Sequence, residues 1–406
     1  MAFAPERIFL LDYTCVQPFG HNVPSLHIFG TYFSEFAPIT TLVPITFRGN
    51  IAEFDKILAS PLQGFFRFDR SIKFAGFRVS TENFHRAAIK ISNRLARRLT
   101  GREIAEIDAL RNVAEVDHAL DFSSSDILVL PSADMYGVRC LVEHFEKCPS
   151  ERRPRLHFRL IGVMEHHSYS YRSPLDEIVA SVRRGRDKGL YIQVSCETPA
   201  YLDVLKRHIP DAFLFPYPMH AVSPGPEGSE LPTFALPGQG RVDKGYDRIC
   251  NIAALVKELG RDVRWIVHSM RTTDRHYSPG YQDLLHLNPS IEVMSADLTD
   301  NEMRDLYRRS SFSILPYSRE TYKLRGSAVF QEALAYGHLC VVPKGTGIAG
   351  IAEIVGNGIT AETDEEFAHS VVTLCDLPWQ QRRDKVAAAQ ERYGLLVSEA
   401  MARIFA

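Results

Sequence analysis

Short apolar runs alternate with stretches of helical period along almost the whole chain. Arg7–Leu11, Thr41–Ile45, Ile127–Leu130, Leu156–Ile161, Leu190–Val194 and Phe213–Phe215 have the length and the aliphatic and aromatic make-up of strands, with helical patterns between most of them. Such alternation predicts parallel sheets covered by helices, an α/β fold. A second series follows: strand Phe234–Leu236, helix Gly245–Leu259, strands Val263–His268 and Ile291–Met294, helix Asp300–Arg308, strand Phe312–Leu315, helix Ala328–Ala335 and strand Leu339–Val342. Between the two series, Ile209–Pro237 collects Pro210, Pro216, Pro218, Pro224, Pro226, Pro232 and Pro237 with Gly225 and Gly228. That density of breakers marks a linker. The chain therefore reads as two doubly wound, Rossmann-like domains, residues 1–218 and 234–385, joined by a Pro-rich linker over 219–233. A ligand is expected in a cleft where the two domains face each other.

Composition supports this reading. The 406 residues exceed what one hydrophobic core comfortably holds, and 45% hydrophobic with 24% charged residues is ordinary for a globular protein. A formal net charge of −2 provides no field to attract nucleic acid, which is disfavoured as a partner. Seven scattered cysteines form neither CxxC pairs nor a disulfide framework, so a reducing, cytoplasmic setting is expected. The apolar stretch Ile8–Leu11 is too short for an export signal, and no run approaches the ~20 apolar residues of a membrane span.

The first segment with chemistry is Gly238-Gln239-Gly240-Arg241-Val242-Asp243-Lys244-Gly245, after a predicted strand and at a predicted helix start. A phosphate site needs unobstructed backbone N–H groups, a helix N-terminus and nearby cations, and this segment supplies all three, with Arg241 and Lys244 as the diphosphate ligands. A dinucleotide fingerprint would need glycine where Asp243 stands. A tight turn with surface cations explains the segment equally well. The second segment runs from Leu315 through Pro316-Tyr317 to Gly337. Its polar loop leads to Gly326-Ser327 at a helix start, where backbone donors and a hydroxyl can hold a second phosphate oxygen. Glu332, five residues on, can accept hydrogen bonds from ribose hydroxyls, although alone it reads as a solvated helix residue.

Together these motifs resemble the C-terminal domain of family 4 retaining glycosyltransferases of the GT-B fold. The resemblance is carried by the Gly-Arg-Lys-Gly turn, by Glu332-Ala333-Leu334-Ala335-Tyr336-Gly337, by Val341-Val342-Pro343 and by Gly356-Asn357-Gly358-Ile359, in the family's order over roughly residues 190–365. It implies that Gly240, Arg241 and Lys244 bind the nucleotide diphosphate and that Glu332 binds ribose. The commonest family pattern has Arg where Gln239 stands and Glu where Leu324 stands. The nearest match is a branch with a Pro-Tyr loop and a Tyr-x-x-Arg-x-Ser element, here Tyr322, Arg325 and Ser327, with Gly326 between the last two. The resemblance further implies a hexosyltransferase that moves a sugar with retention from a UDP- or GDP-sugar to a glycan or lipid-linked saccharide acceptor, in bacterial polysaccharide or glycoconjugate synthesis. In it the first domain binds acceptor, the second binds donor, and a C-terminal helix, residues 386–406 with the pattern Glu391–Phe405, crosses back to the first. No cofactor is implied. No Asp-x-Asp pair is placed to bridge the diphosphate through a metal ion, which implies metal-independent transfer. A sugar-nucleotide epimerase or hydrolase, or a non-catalytic nucleotide-sugar-binding scaffold, remains open on the same architecture.

The first half offers less. Gly20, in the loop Gln17–His21 after the first strand, stands where family members carry a glycine loop that approaches substrate. An ordinary βα loop explains it nearly as well. His166, in Gly162–His167 after Leu156–Ile161, is the candidate catalytic histidine, near where many relatives carry one. With neighbouring His167 it lacks a third ligand for a metal. His157 and Arg159 share one strand face and are expected to be packed or paired. Finally, Thr81–Arg102 reads as a helix with Ile91, Leu95 and Leu99 in line among Arg86, Lys90, Arg94, Arg97, Arg98 and Arg102. The inner face of a membrane suits that pattern. An ordinary packed helix with a solvated basic face suits it too, and is the commoner use.

Overall fold

The computed structural model describes residues 3–12, 22–45, 62–67, 91–92, 94–161, 173–219, 221–222, 231–274 and 276–406, and structural statements concern these. The chain divides into two compact units, one of Met1–Glu197, Val204–Pro218 and Ala400–Ala406, the other of Thr198–Asp203 and Met219–Glu399.

The first unit is built on strands β1 (Arg7–Leu11), β2 (Ile39–Ile45), β3 (Leu62–Arg67), β4 (Asp126–Ala133), β5 (Arg155–Leu160), β6 (Ile192–Cys196) and β7 (Phe213–Leu214), in the order β3-β2-β1-β4-β5-β6-β7. Every neighbouring pair is parallel. Ile8, Phe9, Leu10 and Leu11 are all buried, as a strand covered on both faces requires. The order turns back between β1 and β4, where Arg7 holds the buried Asp126 through Nε and Nη2 at 2.9 and 2.7 Å. Strand β3 is not evident in the apolar pattern. It is an edge strand with one neighbour and a central glycine, and its register with β2 shifts between Val43 and Pro44, so burial constrains it weakly.

Residues 91–92 and 94–100 are helical, and Gly101 (φ 74°) closes the helix by donating its N–H to Arg97 O at 2.9 Å. The stretch does not pack as an ordinary surface helix does: Ile91, Leu95 and Leu99 are 64%, 56% and 77% exposed.

The second unit is built on β8 (Thr233–Leu236), β9 (Arg264–His268), β10 (Ile291–Met294), β11 (Phe312–Ile314), β12 (Leu339–Pro343) and β13 (Gly358–Ala361), all parallel, in the order β10-β9-β8-β11-β12-β13. Phe234 and Phe312 stack at 4.6 Å across the β8/β11 pair and, with Trp265, fill the core beneath it. The strand order reverses at this pair, which opens a crevice beyond its carboxyl ends. The helix expected from Gly245 begins at Ile249 instead, because two 3-10 turns, Val242–Lys244 and Tyr246–Arg248, precede it with Gly245 left-handed between them. The last helix runs over Trp379–Ile404 and so starts well before Glu391. Its added length, with Ala387–Gln390, is made almost wholly of good helix formers. In the first unit Phe405, just past its end, stacks on Phe36 at 4.2 Å.

Candidate phosphate and ribose site in the second unit

The loop that leaves β8 turns at Gly238 (φ 81°), a conformation that favours glycine. A Cβ there would also lie 2.8 Å from Lys244 Nζ and 2.9 Å from Val329 Cγ2, so the missing side chain is what lets a lysine and the start of the helix Ala328–Ala335 meet. Gly240 then donates its N–H to Ser269 O at 3.0 Å and lays the loop over the end of β9. On the other side, Gly245 (φ 70°) leaves no room for a Cβ against Pro316 O, and Ser318 N donates to Asp243 O at 2.8 Å. The turn Val242–Lys244 is thereby held between the ends of β9 and β11, at the switch point of the sheet.

Two of the sequence-predicted cations meet different fates in this turn. Arg241 is ion-paired within the motif, donating from Nε to Asp243 Oδ1 at 2.8 Å and from Nη2 to Oδ2. Burial pushes the Asp243 carboxyl up, but the Arg241 hydrogen bond and charge draw it further down, below the usual range. Lys244 is only 7% exposed and makes no ion pair or hydrogen bond among the described residues. Its Nζ lies 5.8 Å from the Tyr317 ring centroid. Burial, reinforced by the Arg241 charge, lowers its pKa from 10.5 to about 8, although Asp243 and Glu332 oppose the shift. A buried ammonium without an anion costs free energy unless one arrives.

The loop after β11 supplies the facing wall. Tyr322, on the short helix Arg319–Tyr322, is buried with its ring 4.6 Å from that of Tyr317, a packing position. Arg325 is half-buried, and burial lowers its guanidinium pKa. Its backbone is clamped: Thr198 Oγ1 donates to Leu324 O at 2.6 Å, and a Cβ at Gly347 would meet Arg325 O at 2.6 Å. Gly326 leads into Ser327, the N-cap, whose Oγ accepts from Phe330 N at 3.4 Å. That bond takes a lone pair of the hydroxyl and not its O–H, which is the group that would donate to a phosphate oxygen.

Glu332 is half-buried one turn further, its Oε2 accepting from Tyr307 Oη at 2.9 Å. Tyr307 also donates to Val329 O at 3.3 Å and stacks on Tyr336 at 4.9 Å. Burial and then the Glu332 charge hold its hydroxyl well above the usual pKa, so it stays a donor. Sequence reasoning missed Tyr307. It lies in a different helix, Asp300–Arg308, and no spacing rule links it to Glu332. Nearby, His268 is buried with Nε2 3.0 Å from Ala296 O, while Asp297 is exposed and paired with Arg271.

Gly20 and His166 lie outside the described residues. His157 and Arg159 are packed and paired: His157 Nε2 is 3.0 Å from Ser195 Oγ, and Arg159 donates to Phe215 O and Pro131 O at 2.8 and 3.1 Å. Asp117, His144 and Cys148 bring an oxygen, a nitrogen and a sulfur within 4.8 Å of one another, but Asp117 is already held by Arg152 and His144 at 2.8 and 2.7 Å.

No family model matches the sequence, and no curated protein matches it. By structure the chain is similar to TarM (TM-score 0.66, 11% identity, 98% of each chain covered). It is also similar to a glycosyltransferase from Rickettsia africae ESF-5 (0.64, 12%, 98% of each) and to trehalose-6-phosphate synthase OtsA (0.61, 11%, 98% of this chain and 99% of that one). The fold is that of the GT-B glycosyltransferases, two α/β units on parallel sheets.

Proposed function

We propose that the protein is a retaining glycosyltransferase that moves a hexose from a nucleoside diphosphate sugar to an acceptor hydroxyl. The observation that carries this reading is the buried Lys244 ammonium, which makes no ion pair among the described residues, set against a helix start at the switch point of the second sheet. Glu332, oriented by Tyr307, lies one turn into the same helix and suits a ribose. A nucleoside diphosphate offers the anion and the ribose hydroxyls that these two groups suit. Solved structures of similar fold include a TarM variant from S. aureus in complex with UDP and an E. coli protein bound with UDP-2-fluoro glucose.

In this reading Lys244, Arg325, the Nη1 edge of Arg241 and the amides at Ala328 and Val329 stabilise the charge that grows on the diphosphate as the bond from the anomeric carbon to phosphate oxygen breaks. The acceptor oxygen bonds to that carbon on the same face, and its proton passes to the departing phosphate oxygen. This protein charge takes the place of a bridging metal ion. The first unit, with Gly20 and His166, is assigned to the acceptor, a glycan or lipid-linked saccharide of bacterial polysaccharide or glycoconjugate synthesis. Incubation with radiolabelled sugar nucleotides tests the assignment. Sugar release only when an acceptor is added supports transfer, release without acceptor makes the protein a hydrolase, and binding without turnover makes it a scaffold. Retained turnover after chelation of divalent ions supports the metal-independent form.

A further inference from the structure

Residues 91–92 and 94–100 are helical, and each of them except Ala96 is exposed. Their C-terminal end is tied down. Gly101 closes it, and Arg102 forks onto Glu143 at 2.5 and 2.6 Å. Burial pushes the Glu143 carboxyl up, but the hydrogen bonds from Arg102 and Lys147 bring it down to about 2. Burial pushes the carboxyl of nearby Glu103 up, and the Arg97 charge opposes that push.

Two cations are left over. Arg94 and Arg98 lie one turn apart, make no ion pair among the described residues, and flank the line of Ile91, Leu95 and Leu99 on one side. Apolar side chains at i, i+4 and i+8 stand on one face of a helix. Three large exposed apolar groups beside two guanidiniums with no ion pair among the described residues make a surface that is apolar at its centre and positive along its edge. Lipid headgroups with acyl chains beneath them complement both properties at once. No helix among the described residues is long and apolar enough to cross a bilayer, so the contact lies in the interface plane. We propose that this helix docks the protein on an anionic lipid surface, with Ile91, Leu95 and Leu99 entering the headgroup region and Arg94 and Arg98 meeting lipid phosphates. The proposal is independent of the transferase reading.

The test is co-sedimentation of the full chain with vesicles of phosphatidylcholine alone and of phosphatidylcholine mixed with phosphatidylglycerol. Binding is expected only to the mixed vesicles, and it should weaken as salt screens the cations. R94Q/R98Q should lose about 25-fold, at roughly five-fold per cation near a charged surface. L95Q/L99Q should lose at least about ten-fold through lost apolar insertion. All four side chains are exposed, so both variants keep the thermal midpoint and the nucleotide affinity of the parent. Absence of vesicle binding, equal binding to both compositions, or binding that survives both variants overturns the proposal. A concentration-dependent dimer that L95Q/L99Q abolishes, without vesicle binding, assigns the face to a second copy instead.

Discussion

Replacing Lys244 by methionine should raise the stability of the protein while it weakens nucleotide binding. Burial and the Arg241 charge, which draw the Lys244 pKa from 10.5 to about 8, disfavour the ammonium in the absence of ligand. At 1.36 kcal/mol per pKa unit this corresponds to about 3 kcal/mol. Methionine has nearly the same length and volume and carries no charge, so Lys244→Met should recover much of that amount. The lost interaction is a charge-assisted hydrogen bond to phosphate, worth about 1.5–3 kcal/mol, or roughly ten- to hundred-fold in UDP affinity. Urea denaturation at pH 7 measures the first quantity and titration calorimetry with UDP the second. The pH dependence gives an independent check. The unfolded lysine holds its proton to about 10.5 and the folded one only to about 8, so the unfolded state binds more protons between those values. Stability of the ligand-free protein therefore rises with pH across that window. UDP affinity does the opposite, staying level below about pH 7 and falling about ten-fold per unit above 8, because the cation that attracts the diphosphate is lost. In Lys244→Met both dependences should disappear. A variant that is less stable than the parent yet binds UDP unchanged would refute the assignment of Lys244.

The Tyr307 hydroxyl offers a more selective perturbation, since Tyr307→Phe keeps the Tyr336 stack and removes only the hydroxyl, with its short bond to Glu332 and its longer one to Val329 O. Its UDP affinity should fall about five- to ten-fold while inorganic pyrophosphate binds as before, because the ribose contact alone is loosened. Equal losses for both ligands would show that the tyrosine merely supports the helix. Gly245→Ala should cost roughly 2–4 kcal/mol in urea denaturation, because a Cβ in the left-handed conformation also meets Pro316 O. His157 is pushed down to about 3, chiefly by burial and then by Arg159, and so remains neutral in the folded state. Its unfolded form gains a proton below about 6.5, so stability should fall by up to about 1.4 kcal/mol per pH unit from there toward pH 4. His157→Asn should flatten that slope relative to the parent.

The covalent chain alone determined a good deal of this. Parallel strands buried on both faces must be apolar throughout, so β1, β4, β5, β8, β9, β11 and β12 are legible as runs, and the α/β class follows from their alternation with helices. The glycines at 238, 240 and 245 with the basic residues among them mark a tight turn at the end of β8, the place where a phosphate site was expected, and the structure shows that turn. Glu332 needed the surrounding motif, since a lone glutamate on a helix says little. Other features depended on distance through space rather than along the chain. β3 was hidden because an edge strand with one neighbour is under weak hydrophobic constraint. The pairing of Arg241 with Asp243 rather than with solvent depends on a 3-10 turn that the helical pattern did not announce. The isolation of Lys244 depends on Val329 and Tyr317, and the grip on Glu332 depends on Tyr307, all brought in by the order of strands in the sheet. Whether the Ile91, Leu95 and Leu99 line would be buried or bare was likewise a question of what packs against it. Periodicity states that a helix has an apolar face, and only the tertiary structure states what that face meets.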